Sequence, residues 1–135
     1  MRDVLYPLMT DAGRQRSELE LAAICAVDPS GTALVHTDLG GGNVLLTARG
    51  DAQAVTGVLD WDGAQIGNQA SDLASLAVTF GWRLAGQIDA ERTRLEGPMI
   101  GTAQVIAATF ALQQALPAAL SGDSESLADG LACYR

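Results

Sequence analysis

The chain has 135 residues, enough for one domain or one lobe of a larger one. Nearly half of them, 48%, are apolar, so a core can form and the composition does not suggest disorder. Sixteen acidic residues stand against eight basic ones, all of them arginine. The net charge of −8 disfavours nucleic acid and anionic lipid and suits a cationic small molecule better, although it also simply keeps a domain soluble.

In chain order, residues 2–9 read as a short apolar helical turn or two. Residues 11–27 read as a helix capped by Asp11, with Leu19, Leu21, Ala22, Ile24 and Cys25 on its apolar side. Arg14 with Glu18 and Arg16 with Glu20 are spaced to pair on its outer face. Asp28-Pro29-Ser30-Gly31 is a turn. Strands are expected over 33–35, 44–47 and 55–59, with a turn over 48–53 and a loop over 62–69. A helix follows over 70–84, with Leu73, Leu76, Ala77 and Phe80 buried. Residues 86–94 are a loop with part of a helix, and Gly97-Pro98 is a break. The next helix covers 99–116, Pro117 to Asp123 interrupts it, and 124–134 form the last helix. The order is helix, a small β cluster, then three or more helices.

Cys25 and Cys133 lie far apart, and with one histidine in the chain no zinc spacing exists. Both are expected as free, buried thiols in a reducing compartment, hence a cytoplasmic location. No signal-peptide pattern and no apolar run of membrane-spanning length is evident, so no membrane partner is expected.

The chemistry concentrates in residues 34–61. His36-Thr37-Asp38-Leu39-Gly40-Gly41-Gly42-Asn43 has the spacing H-x-D-L-x-x-x-N of a kinase catalytic loop. Transfer of a phosphoryl group from ATP needs a carboxylate beside the acceptor hydroxyl and oxygen ligands for Mg²⁺. Asp38 can be that carboxylate. Asn43 and Asp60, the latter in Leu59-Asp60-Trp61, can be the ligands. Bland readings stand beside these. The three glycines fit a flexible turn, Asp60 a strand-end cap, and His36 a packed histidine that holds backbone.

The segment resembles the carboxyl lobe of the aminoglycoside phosphotransferase family, which shares the protein-kinase fold. The resemblance rests on His36-Thr37-Asp38-Leu39, Asn43-Val44-Leu45, Leu59-Asp60-Trp61 and Gly67-Asn68-Gln69-Ala70-Ser71-Asp72-Leu73-Ala74. Residues 109–116 and the closing segment to Tyr134 are also similar to the end of such proteins. It implies an α+β, mostly helical fold, with helices around a small β-hairpin cluster that carries the catalytic loop. It implies one domain over 1–135, the catalytic and substrate lobe, without the amino lobe whose Gly-rich loop and lysine grip ATP. By position it implies Asp38 as catalytic base and Asn43 and Asp60 as Mg²⁺ ligands. His36 and Asp72 support the loop, Asp72 by accepting backbone N–H bonds. The implied cofactors are Mg²⁺ and ATP as phosphate donor. The implied acceptor is a small-molecule hydroxyl, foremost an aminoglycoside-type antibiotic. Thr37 stands where the family usually has glycine, and the glycine triplet suggests a looser loop than usual.

Two other functions compete. A truncated, non-catalytic lobe could bind a cationic ligand or a partner, or self-associate through the face where an amino lobe would dock. A hydrolase could use Asp38 with His36, two residues apart on an extended segment, although no G-x-S-x-G nucleophile motif accompanies them.

Overall fold

The computed structural model describes residues 1–50, 52–96 and 98–135. In chain order the elements are α1 (Arg2–Leu5), a 3-10 turn (Tyr6–Leu8), α2 (Asp11–Cys25), β1 (Ala33–Val35), β2 (Val44–Arg49), β3 (Ala52–Val58), a 3-10 turn (Trp61–Gly63), β4 (Gln65–Gly67), α3 (Ala70–Phe80), α4 (Trp82–Glu96), α5 (Ile100–Ala108), α6 (Phe110–Ser121) and α7 (Ser124–Gly130). The chain parts into two units. One joins 1–27 to 108–135, and the other is 28–107.

The first unit is helical. Thr10, not Asp11, caps α2: its hydroxyl accepts the Gly13 N–H at 3.1 Å, while Asp11 is the first helical residue. The Thr10 hydroxyl also donates to the Tyr134 carbonyl at 3.2 Å, which ties the start of α2 to the end of the chain. The outer-face pairing differs from expectation in one of two cases. Arg16 meets Glu20 at 2.8 Å, but Arg14 turns to Asp11 and the Tyr6 carbonyl, and Glu18 pairs with Arg2 instead.

The core of this unit is Leu5, Met9, Leu112, Ala115, Leu131 and Tyr134. Each fully buried leucine contributes about 1.5–3 kcal/mol. An exposed ion pair contributes about 0–1 kcal/mol. The apolar cluster, not the ion pairs, therefore holds the unit. Burial pushes the Tyr134 hydroxyl above its ordinary range, and its bond to the Glu20 carboxylate adds to the shift.

Two further expectations fail here. Cys25 and Cys133 are free but exposed, not buried, because each ends or follows a helix at the surface. Pro117 lies inside α6 instead of breaking it; it is exposed, and the helix stops four residues later, before Gly122 at φ +80°.

The second unit carries two small antiparallel sheets. β1 pairs with β4 (Leu34 opposite Ile66), and β2 pairs with β3 (Val44 opposite Val58) with an irregularity at Leu45/Leu46. Gly50, at φ +61°, ends the β2 side of the hairpin in a left-handed conformation that suits glycine. β4 falls in the expected loop, and the hairpin strands are longer than expected. The expected helix over 70–84 ends at Phe80. Gly81, at φ +94°, separates it from α4, which replaces the expected loop.

α3 packs on α4. The buried Asp89 carboxylate on α4 accepts the N–H groups of Met99 and Ile100 at 2.9 and 3.2 Å, which serves the open end of α5. The expected break at Gly97 lies outside the described residues. The expected 99–116 helix is two, α5 and α6. Over Ile100–Ser121 these are long and apolar enough by length and composition to cross a bilayer, contrary to the sequence expectation. The core helix of a soluble protein passes the same test, and Leu112 and Ala115 of α6 sit in the core just described.

Candidate active site

The site lies wholly in the second unit. β1 ends at Val35, which is buried, and the chain then enters the loop 36–43. α3 starts behind this loop. Asn68 sets its entry, with its side-chain oxygen accepting the Ala70 N–H at 2.9 Å. The first turn of α3 carries Asp72. Its carboxylate accepts the His36 N–H at 2.9 and 3.1 Å and the Thr37 N–H at 2.9 Å. Asp72 thus holds the backbone just before Asp38.

His36 is 1% exposed. Its Nδ1 lies 3.3 Å from the Asp38 N–H and accepts it, so Nε2 carries the proton and donates to the Leu59 carbonyl at 2.7 Å. The Trp61 ring lies against it, with centroids 4.8 Å apart. Both imidazole nitrogens are committed to backbone. The ring therefore joins the loop to the strand end that bears Asp60, and it is not free to form a dyad with Asp38.

Asp38 is exposed. The Asn43 amide nitrogen donates to the Asp38 carbonyl at 2.8 Å and to its Oδ2 at 3.0 Å, which leaves Asp38 Oδ1 and the Asn43 amide oxygen outside these bonds. The Asn43 carbonyl accepts the Leu59 N–H at 2.8 Å. The hairpin thus folds Asn43 back beside the residue preceding Asp60. Asp60 itself takes the left-handed conformation, φ +59° and ψ +62°, and its carboxylate makes no hydrogen bond or ion pair among the described residues. No three His, Cys, Asp or Glu side chains gather as a metal cluster among the described residues. The Asn43 amide oxygen and the Asp60 carboxylate are the oxygen groups here that could hold a metal, and oxygen ligands of this kind suit Mg²⁺ better than a softer ion.

The five residues singled out in the sequence are therefore joined by a short chain of bonds: Asp72 to His36, His36 to Leu59 and to Asp38, Asp38 to Asn43, and Asn43 to Leu59 beside Asp60. Sequence reading missed three supports. Thr79 on α3 accepts the Gly41 N–H at 3.2 Å, so the glycine loop is pinned and not simply loose. A Cβ on Gly41 would lie 2.6 Å from the Thr79 methyl, so glycine is required there by space. Trp61 packs on His36. Thr37 stands at φ +71°, a conformation that costs a β-branched residue about 1–3 kcal/mol. The glycine usual at this position in the resembling family was the signal.

Beyond the loop, an apolar cavity of about 490 Å³ opens between the hairpin and α3–α4, lined by Leu39, Val44, Leu46, Val55, Phe80 and Leu84 among others.

Residues 5–119 match the phosphotransferase enzyme family. The chain belongs to that family. Over its whole length it is 46% identical to the viomycin phosphotransferase of Streptomyces vinaceus, of which it covers 47%. Two solved structures share its fold. A GDP complex of an aminoglycoside 2′-phosphotransferase-IIIa mutant matches with a TM-score of 0.83 and 19% identity, over 98% of this chain and 45% of that one. A thermostable mutant of aminoglycoside phosphotransferase APH(4)-Ia matches with a TM-score of 0.60 and 22% identity, over 94% and 44%. This phosphotransferase-family chain thus has the kinase-like fold of antibiotic phosphotransferases and spans about half the length of the relatives it matches.

Proposed function

We propose that this chain is the catalytic and substrate lobe of a cytoplasmic phosphotransferase that moves the γ-phosphate of a purine nucleoside triphosphate, ATP foremost, to a hydroxyl of a cationic antibiotic. The observation that carries this reading is the knot around Asn43. One amide side chain holds the Asp38 carboxylate, while its own backbone holds the strand end next to Asp60.

Asp38 is the base. Its Oδ2 is oriented by Asn43, and Oδ1, outside that bond, would receive the acceptor hydroxyl. As the acceptor oxygen bonds to the γ-phosphorus, the bond from phosphorus to the diphosphate oxygen breaks, its electron pair stays with the diphosphate, and the hydroxyl proton moves to Asp38. Asn43 and Asp60 would hold Mg²⁺, which offsets charge on the phosphates. His36 and Asp72 transfer no proton to or from the reactants in this scheme; they keep the loop in shape.

Two names support the substrate class: the viomycin phosphotransferase relative and the aminoglycoside phosphotransferase neighbours. The net charge of −8 agrees with a polycationic acceptor. The neighbour solved with GDP makes GTP the donor to test beside ATP.

The test is mass-spectrometric detection of phosphorylated viomycin or aminoglycoside with Mg·ATP or Mg·GTP, and of bound ligand by calorimetry. Asp38→Asn is expected to lower transfer by about 10²–10⁴-fold with acceptor binding kept. Transfer that survives Asp38→Asn undiminished would sink the reading.

A second reading, a non-catalytic binding lobe, is favoured by the apolar cavity and the exposed Leu45, Leu46 and Val55 of the hairpin. It predicts antibiotic binding with no phosphorylated product under any nucleotide.

A further inference from the structure

We infer that Thr37 is a positioning residue that locks the turn bearing Asp60 to the loop bearing Asp38. The inference rests on the reading of Asp38 and Asp60 just given. Thr37 is exposed, and it is one of two non-glycine residues at positive φ among the described residues; Asp60 is the other. Strain of this kind persists only where the surroundings over-determine it.

The surroundings here are specific. The Thr37 N–H is held by Asp72 at 2.9 Å. Its hydroxyl donates to the Gly63 carbonyl at 3.2 Å. Gly63 closes the 3-10 turn Trp61–Gly63, whose left-handed entry is Asp60. A Cβ on Gly63 would lie 2.8 Å from the Thr37 hydroxyl, so the approach needs a glycine on that side.

Asp60 is therefore bracketed. Its predecessor Leu59 is bonded to His36, its successor Trp61 lies on the His36 ring, and Gly63 is bonded to Thr37. Glycine would occupy this backbone conformation without strain, but it has no hydroxyl. Threonine accepts the strain and gains the tie.

The experiment compares the 135-residue chain with Thr37→Val, Thr37→Ser and Thr37→Gly. Amide hydrogen exchange is followed at Ala64, whose N–H bonds to the Trp61 carbonyl at 2.9 Å across the turn. Loss of one hydrogen bond is expected to speed exchange at Ala64 about fivefold in the Val variant. Thr37→Gly, which has neither strain nor hydroxyl, is expected to give the same acceleration, and Thr37→Ser to restore the wild-type rate. The His36 amide, held by Asp72, serves as the internal control for folding and stays protected. Unchanged exchange at Ala64 in both Val and Gly variants would overturn the inference.

Mn²⁺ binding, read by electron paramagnetic resonance, carries the consequence to the site. Thr37→Val is expected to weaken it about fivefold with rescue by Thr37→Ser, and Asp60→Asn to abolish it. Undiminished Mn²⁺ affinity in Thr37→Val, with Asp60→Asn unable to bind, would refute positioning. Equal affinity in wild type and Asp60→Asn would remove the metal role of Asp60, and the exchange at Ala64 would still decide whether the tie exists.

Discussion

Replacing Asp72 by alanine probes the link between helix α3 and the loop 36–43. The side chain accepts two backbone N–H groups, and they are not equivalent. His36 is 1% exposed, so its amide has no water to turn to when the carboxylate is removed. A hydrogen bond to a charged acceptor contributes about 1.5–3 kcal/mol. Thr37 is exposed, so its amide regains water and loses roughly 0.5–1 kcal/mol. The sum is about 2–4 kcal/mol. At about 1.4 kcal/mol per tenfold, local opening of the loop becomes roughly 30- to 700-fold more frequent. Amide hydrogen exchange at His36 and Thr37 measures this opening, and urea unfolding gives the global loss beside it. Asp72→Asn keeps one acceptor oxygen but turns an NH₂ group toward an N–H, so an intermediate effect is expected. Exchange at His36 within threefold of wild type in Asp72→Ala would refute the reasoning, because the buried amide would then have another partner.

Gly41→Ala places a methyl 2.6 Å from the Thr79 methyl and is expected to cost about 1–3 kcal/mol in urea unfolding; adding Thr79→Ser, which deletes that methyl but keeps the hydroxyl, should recover most of it. The alkaline limb of stability should follow Tyr134. Its folded value is raised above the ordinary value of about 10, so above pH 10 the unfolded chain has lost a proton that the folded chain still holds, and stability falls as pH rises; below pH 10 the contribution is fully present. Tyr134→Phe should flatten that limb in thermal unfolding. The absence of lysine leaves few other groups titrating there, so an unchanged slope would count directly against Tyr134.

The motif residues were legible because their chemistry is local in sequence. His36, Asp38 and Asn43 fall within eight positions, and Asp60 is flagged by its apolar neighbours. Elements defined by distant partners were not legible. β4 is three residues long and becomes a strand only by pairing with β1, some thirty residues earlier. α4 hides because its buried side is made by Ala85 and Asp89 and not by large apolar residues: Leu84 and Ile88 remain about 40% exposed, so no deep apolar stripe marks it. Pro117 misled because its effect depends on which way the helix faces. Thr10 was passed over as a cap because Asp11 beside it is an equally good cap by type, and only the geometry separates them. Thr79 carries no pattern of its own; its contact with Gly41 exists only once α3 lies alongside the loop.

The β2–β3 hairpin separates Asn43 from Asp60 by seventeen positions, yet the bond between Asn43 and Leu59 closes the gap at the root. The distance between the two side chains is therefore insulated from the length of chain threaded between them. The far end of the hairpin can lengthen, shorten or change shape and leave the root untouched, in the way that a clasp is indifferent to the size of its loop. Inserting a short flexible tag beside Gly50 should thus be a benign way to label this protein, whereas a single-residue deletion next to Val58 would take Leu59 out of register with Asn43 and His36, the two groups that place Asp60.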